Sequence, residues 1–118
     1  MAYDIEYFHT DHGQKPVEEF IDSLDIKMQS KVFRQIMLLR EFGPQLGEPF
    51  SSQVKNGIFE LRIQQSNNIT RILYFFIKDK KIILTNGFVK KTPKTPPGEI
   101  DRALRCKTIY ESREISYG

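Results

Sequence analysis

Positive charge gathers in one stretch of this chain. Residues 71–94 hold Arg71, Lys78, Lys80, Lys81, Lys90, Lys91 and Lys94 against the single acid Asp79, a net of +6. Residues 1–25 do the opposite, with seven acids against Lys15, a net of −6. The whole-chain charge of +3 hides this separation. Such a dipolar layout offers one surface to a polyanion and withholds another. The competing reading is a solvated charge run. The residue types differ in what they can do. Arginine is a poor base, because its pKa exceeds about 12, but its planar fork grips phosphate oxygens in pairs. Arg62 and Arg71 suit that task. Lysine takes a proton at neutral pH only when like charge and partial burial lower its pKa. Lys90, Lys91 and Lys94, placed near Arg71, would repel one another's protons. Phe88 beside them is either a stacking platform for an unpaired base or an end-of-strand core residue.

Other chemistries find less to work with. The only histidines, His9 and His12, stand outside the basic segment, near the end of the first expected strand. Acidic pairs such as Glu18-Glu19 read as helix-face charges, with no carboxylates placed for metal catalysis. There is no phosphate-binding glycine loop, dinucleotide fingerprint, Cys/His cluster or nucleophile elbow. No cofactor or metal is expected. The lone Cys106 cannot form an internal disulfide and reads as a small buried apolar residue. A reducing cytoplasm fits that best. No apolar run approaches the roughly 20 residues of a membrane span, and no secretory signal is visible.

The elements that must position these residues follow from periodicity. At 118 residues the chain is expected to be one domain, 1–118. Ala2–Phe8 alternates as a half-buried strand, with Tyr3, Ile5 and Tyr7 on one face. A helix is predicted from about Pro16, carrying Val17, Phe20, Ile21 and Leu24 at helical spacing. Asp25 is placed to cap a second helix with an inner stripe of Met28, Val32, Phe33, Ile36 and Leu39, ended by Gly43-Pro44. Leu46–Gly57 reads as loop, with a short strand near Gln53–Lys55. Three strands follow: Ile58–Gln64, Ile69–Ile77 and Lys81–Phe88. In the first, Phe59, Leu61 and Ile63 alternate with Glu60 and Arg62, so Arg62 should point away from the helices and be accessible. The second is apolar on both faces, as a central strand should be, and includes Arg71. Breakers deny regular structure to the segment up to Gly98, and a last helix is predicted from about Pro97 to Glu111. The order β-α-α-β-β-β-α is an α+β layout, a mainly antiparallel sheet with helices on one face.

That order is shared by the RelE/ParE toxins, and two stretches sharpen the resemblance. FELRIQQSNNITRILYFF and IILTNGFVKKTPKTPPGEIDRA resemble the HigB-like, phage-related branch, where an Arg-bearing hairpin leads into a strand ending in Phe-x-Lys-Lys and a Thr/Pro-rich turn. The resemblance implies a toxin of a type II toxin–antitoxin system. Such a toxin cuts messenger RNA, usually on a translating ribosome, and is neutralised by a HigA-like helix-turn-helix antitoxin. A heterotetramer with that antitoxin is one assembly it allows. Position by position, it implies that Arg62, Arg71, Lys90 and Lys91 carry out cleavage. Lys94 is carried over to the basic site less directly, and Phe88, Lys78 and Lys81 complete the candidate RNA-binding set.

Metal-independent cleavage would use the ribose 2′-OH as nucleophile. It needs a base, cations to hold the phosphorane charge and an acid for the leaving 5′ oxygen. The basic set has no obvious strong base, which favours dependence on the ribosome to align the message. Two other readings compete. One is a ParE-like poison of DNA gyrase without nuclease activity, against which Arg71 and the Lys90/Lys91 pair argue. The other is a non-enzymatic phage protein that binds nucleic acid.

Overall fold

The computed structural model describes residues 2–117. The elements run β1 (Asp4–Tyr7), α1 (Pro16–Asp22), α2 (Ile26–Phe42), β2 (Ser51–Lys55), β3 (Ile58–Gln65), β4 (Asn68–Ile77), β5 (Lys81–Val89) and α3 (Pro97–Tyr117). A single 3-10 turn, Gly43–Gln45, follows α2. The local causes are those the residue types suggest. Pro16 opens α1, and the Asp25 carboxylate accepts the Met28 N–H at 2.8 Å to cap α2. Gly43 ends α2 at φ 53°, with the Tyr3 ring lying where a Cβ would stand. Glycine is therefore required there both for conformation and for space.

The strand order is β1-β5-β4-β3-β2. β2, β3, β4 and β5 form an antiparallel meander, and β1 joins β5 in parallel, Asp4 opposite Lys81 through Tyr7 opposite Leu84. The α+β, mostly antiparallel layout is therefore present, in a form compatible with a RelE-like fold.

The expectation that the helices share one face is corrected. α1 and α2 cover the face bearing Leu61, Ile63, Ile72, Tyr74, Ile82 and Leu84. α3 covers the other, where Ala103, Cys106 and Tyr110 pack with Ile58, Leu73, Phe75 and Ile83. The cause lies in β4. Its two faces, Ile72/Tyr74/Phe76 and Leu73/Phe75/Ile77, are both apolar, and one helical layer covers only one of them. Three smaller differences follow. β2 is a full five-residue strand, and α3 runs past Glu111 to Tyr117. Phe33, assigned to the inner stripe of α2, is 47% exposed, because Val32 and Ile36 already fill the inward positions. Among the described residues no helix is long and apolar enough to cross a membrane.

Candidate functional site

α3 leaves one end of its sheet face uncovered by core residues, and charge occupies that end. In the β3–β4 register Arg62 stands directly opposite Arg71, and in β4–β5 Arg71 stands opposite Phe88. One row along, Glu60 pairs with Leu73. Period-two alternation puts Glu60, Arg62, Arg71 and Phe88 on the same side. The Lys90 N–H donates to Ile69 O at 2.8 Å, so the ladder continues past β5 and Lys90 takes the side that Phe88 takes.

The centre of the cluster is a residue that strand alternation had assigned only to the polar face. Glu60 is 3% exposed. Its Oε2 accepts from Arg62 Nε at 2.9 Å and lies 3.6 Å from Arg71 Nε, while Oε1 accepts from the Thr95 hydroxyl. Burial works to raise its pKa. The hydrogen bonds from Thr95 and Arg62, with the charges of Arg71 and Arg62, outweigh that and hold the carboxyl below its usual range. Thr95 lies 35 residues away in sequence, in the segment rich in Thr and Pro. Glu60 thus ties that segment to the strands.

The two arginines are used differently. Arg62 is fully engaged: Nε with Glu60, Nη1 with Glu48 and Nη2 with Ser52 Oγ at 2.8 Å. The hydrogen bond to Glu60, above all, raises its pKa. Arg62, expected to be accessible, keeps 30% of its side-chain surface exposed, but its guanidinium is tied to the protein's own acids. Arg71 is buried and makes one bond, from Nη1 to the Thr70 carbonyl at 3.2 Å. Desolvation lowers its pKa, opposed by Glu60 and reinforced by Arg62. It stays protonated because arginine begins so high.

Of the lysine pair, Lys90 belongs to the cluster. Burial lowers its pKa first, and Arg71 and Arg62 push the same way against Glu60. Lys91 and Lys94 are exposed in the irregular segment that follows. Lys78 and Lys81 are not brought to the site. Lys81 pairs with Ile77 at the far end of the β4–β5 hairpin, six residues from Arg71, roughly 20 Å at about 3.3 Å per residue. Phe88 is 8% exposed and packs with the α3-side core, which leaves it no open ring face for a base. His9 is exposed elsewhere, where Arg113 of α3 donates to its carbonyl at 2.8 Å and pairs with Asp11. Among the described residues no group of three or more His, Cys, Asp or Glu is placed to hold a metal ion.

The fold and the patch define a class: a small α+β protein with a basic cluster set around a buried carboxylate at one end of a sheet. Residues 19–108, about three quarters of the chain, match the family described as Phage derived protein Gp49-like (DUF891), and the chain belongs to that family. No curated protein matches it.

Proposed function

We propose that this chain is the toxin of a toxin–antitoxin pair, of the HigB-like kind in the RelE/ParE superfamily, and an endoribonuclease that cuts messenger RNA in the cytoplasm. The observation that supports the reading best is the convergence of Arg62, Arg71 and Lys90 around Glu60. The 2′ oxygen attacks the adjacent phosphorus, the P–O5′ bond breaks, and a 2′,3′-cyclic phosphate forms. The proton leaves the 2′-OH, and another is given to the departing 5′ oxygen. Arg71 holds the charge that builds on the phosphate oxygens, while Arg62, engaged by Glu60, Glu48 and Ser52, fixes the carboxylate beside it. Lys90, its pKa lowered by burial and by Arg71, is the group suited to move a proton. Glu60 is held ionised and enclosed, which suits it to orienting the guanidinium groups more than to meeting the 2′-OH.

A patch made of arginine, lysine and one enclosed carboxylate favours charge stabilisation over strong base catalysis. A ribosome that holds the message in line supplies the remaining acceleration through positioning. The partner that silences the toxin is then a small helix-turn-helix antitoxin.

The test is direct. Purified chain is incubated with a messenger RNA, alone and with translating ribosomes, and the 5′ ends are mapped. New cuts inside the translated frame, more frequent with ribosomes, are expected. Intact messages together with inhibited gyrase would move the assignment to the DNA-poison reading.

A further inference from the structure

Among the described residues, three buried side-chain atoms have no hydrogen-bond partner: Gln35 Oε1, Thr70 Oγ1 and Arg71 Nε. Strand alternation turns Thr70 to the side of Ile72 and Tyr74, away from Arg71, whereas Gln35 and Arg71 line the same cleft of about 230 Å³. A buried acceptor left without a donor destabilises a fold, so one retained in a cleft points to a donor that arrives with a ligand. Gln35 is 8% exposed and sits on the inward side of α2, in step with Met28, Val32 and Leu39.

The cleft opens where β2 stops. β2 pairs with β3 only as far as Leu61, and the Phe50 carbonyl takes the Arg62 N–H, so the outer edge of β3 beyond Arg62 has no strand beside it. Lys31 and Gln35 reach this gap from α2, Phe50 from the segment before β2, Arg62 and Gln64 from β3, and Arg71 from β4. No carboxylate is among the lining residues. Three cations, two amides and a partly exposed phenyl ring describe a ligand with an anionic group, a hydrogen-bond donor and a flat apolar body. The volume is below the roughly 300 Å³ at which drug-sized sites begin, which suits one nucleotide and not a run of them.

We propose that this cleft reads a single nucleotide of the RNA strand, with Gln35 Oε1 accepting a hydrogen bond from the exocyclic amino group of its base while Lys31 and Arg71 hold the neighbouring phosphate. Phe50 supplies the face against which the base lies. Adenine and cytosine carry that amino group at the purine 6 and pyrimidine 4 positions, where guanine and uracil have a carbonyl oxygen that would put acceptor against acceptor. The inference rests on the RNA reading above and adds a specificity pocket to it.

The test pairs one protein change with one atom-level ligand change. The probes are two short single-stranded RNAs with 2′-fluoro sugars, so that neither is cut. One is an oligoadenylate; the other has purine, which lacks the 6-amino group, at every base. Binding is followed by fluorescence anisotropy for the wild-type chain and Gln35→Leu. The wild type should hold the adenine strand about five- to tenfold more tightly, the effect of one satisfied hydrogen bond. Gln35→Leu should bind both strands alike, at the purine affinity. It should also melt no lower than the wild type, because it removes an unpaired polar atom from a buried site, so loss of fold does not cloud the result. Equal discrimination in wild type and variant, or none in the wild type, overturns the pocket while the RNA reading stands. Failure of the wild type to bind either strand overturns both.

Discussion

Glu60 illustrates how a residue's role is set by neighbours that arrive from far along the chain. From its own strand it is a polar residue alternating with Phe59 and Leu61, and Arg62 shares that description. Its enclosure depends on Thr95 and on Arg71 across the ladder, neither of which is local. Because its pKa is lowered in the folded protein, it contributes stability that is present above its unfolded pKa, near 4.3, and lost as pH falls through the lower folded value. Melting temperatures recorded from pH 7 to pH 3 should therefore fall steeply for the wild type. Glu60→Gln should begin lower at pH 7 and fall less; parallel curves would refute the assignment. The lysine pair permits a second residue-level prediction. Periodicity leaves Lys90 and Lys91 equivalent, whereas the bond from Lys90 to Ile69 fixes which one turns toward Arg71. Lys90→Ala and Arg71→Ala should each lower the cleavage rate by about 10²-fold or more, and Lys91→Ala far less. Single-turnover cleavage of ribosome-bound message distinguishes them.

At the level of elements, the strands were legible because alternation is a short-range signal. Ile58–Gln64, Ile69–Ile77 and Lys81–Phe88 each fall within one residue of β3, β4 and β5. Placement of the helices was less so. The doubly apolar β4 is the central strand, as that pattern predicts, and its second face calls for a second layer, which α3 supplies. Gln35 offered a signal of another sort: a polar side chain standing in the apolar stripe of α2, four residues before Leu39. What no local pattern discloses is the fit between elements. Gly87 carries an ordinary backbone, but a Cβ there would stand 2.4 Å from the Phe20 ring, so α1 approaches β5 as closely as it does only because the side chain is missing. The β4–β5 register shifts between Leu73 and Tyr74, close to that contact. Gly87→Ala should destabilise the fold by about 1–3 kcal/mol through overpacking. Urea denaturation should show a lower midpoint with an unchanged slope, since the surface exposed on unfolding stays the same.

For the whole molecule the sequence displays charge separation, and the fold divides it further. The basic segment 71–94 is a hairpin with two ends, so its seven cations do not form one patch. Lys78 and Lys81 lie at the β4–β5 turn, while Arg71 and Lys90 lie beside Glu60 at the opposite end. Net charge counts all of them alike; a bound strand does not. Single-stranded RNA releases roughly 0.7 of a counterion for each phosphate neutralised. Lys31, Arg71 and Lys90, acting as the cations at the site, should then give a slope of about −2 in a plot of log affinity against log salt. Lys90→Ala should reduce the steepness by about 0.7. A Lys78→Ala/Lys81→Ala pair removes twice as much charge and should leave the slope nearly unchanged. If the far lysines weigh as much as the near one, RNA binds the molecule by its overall field, and the localised site fails as the account of binding.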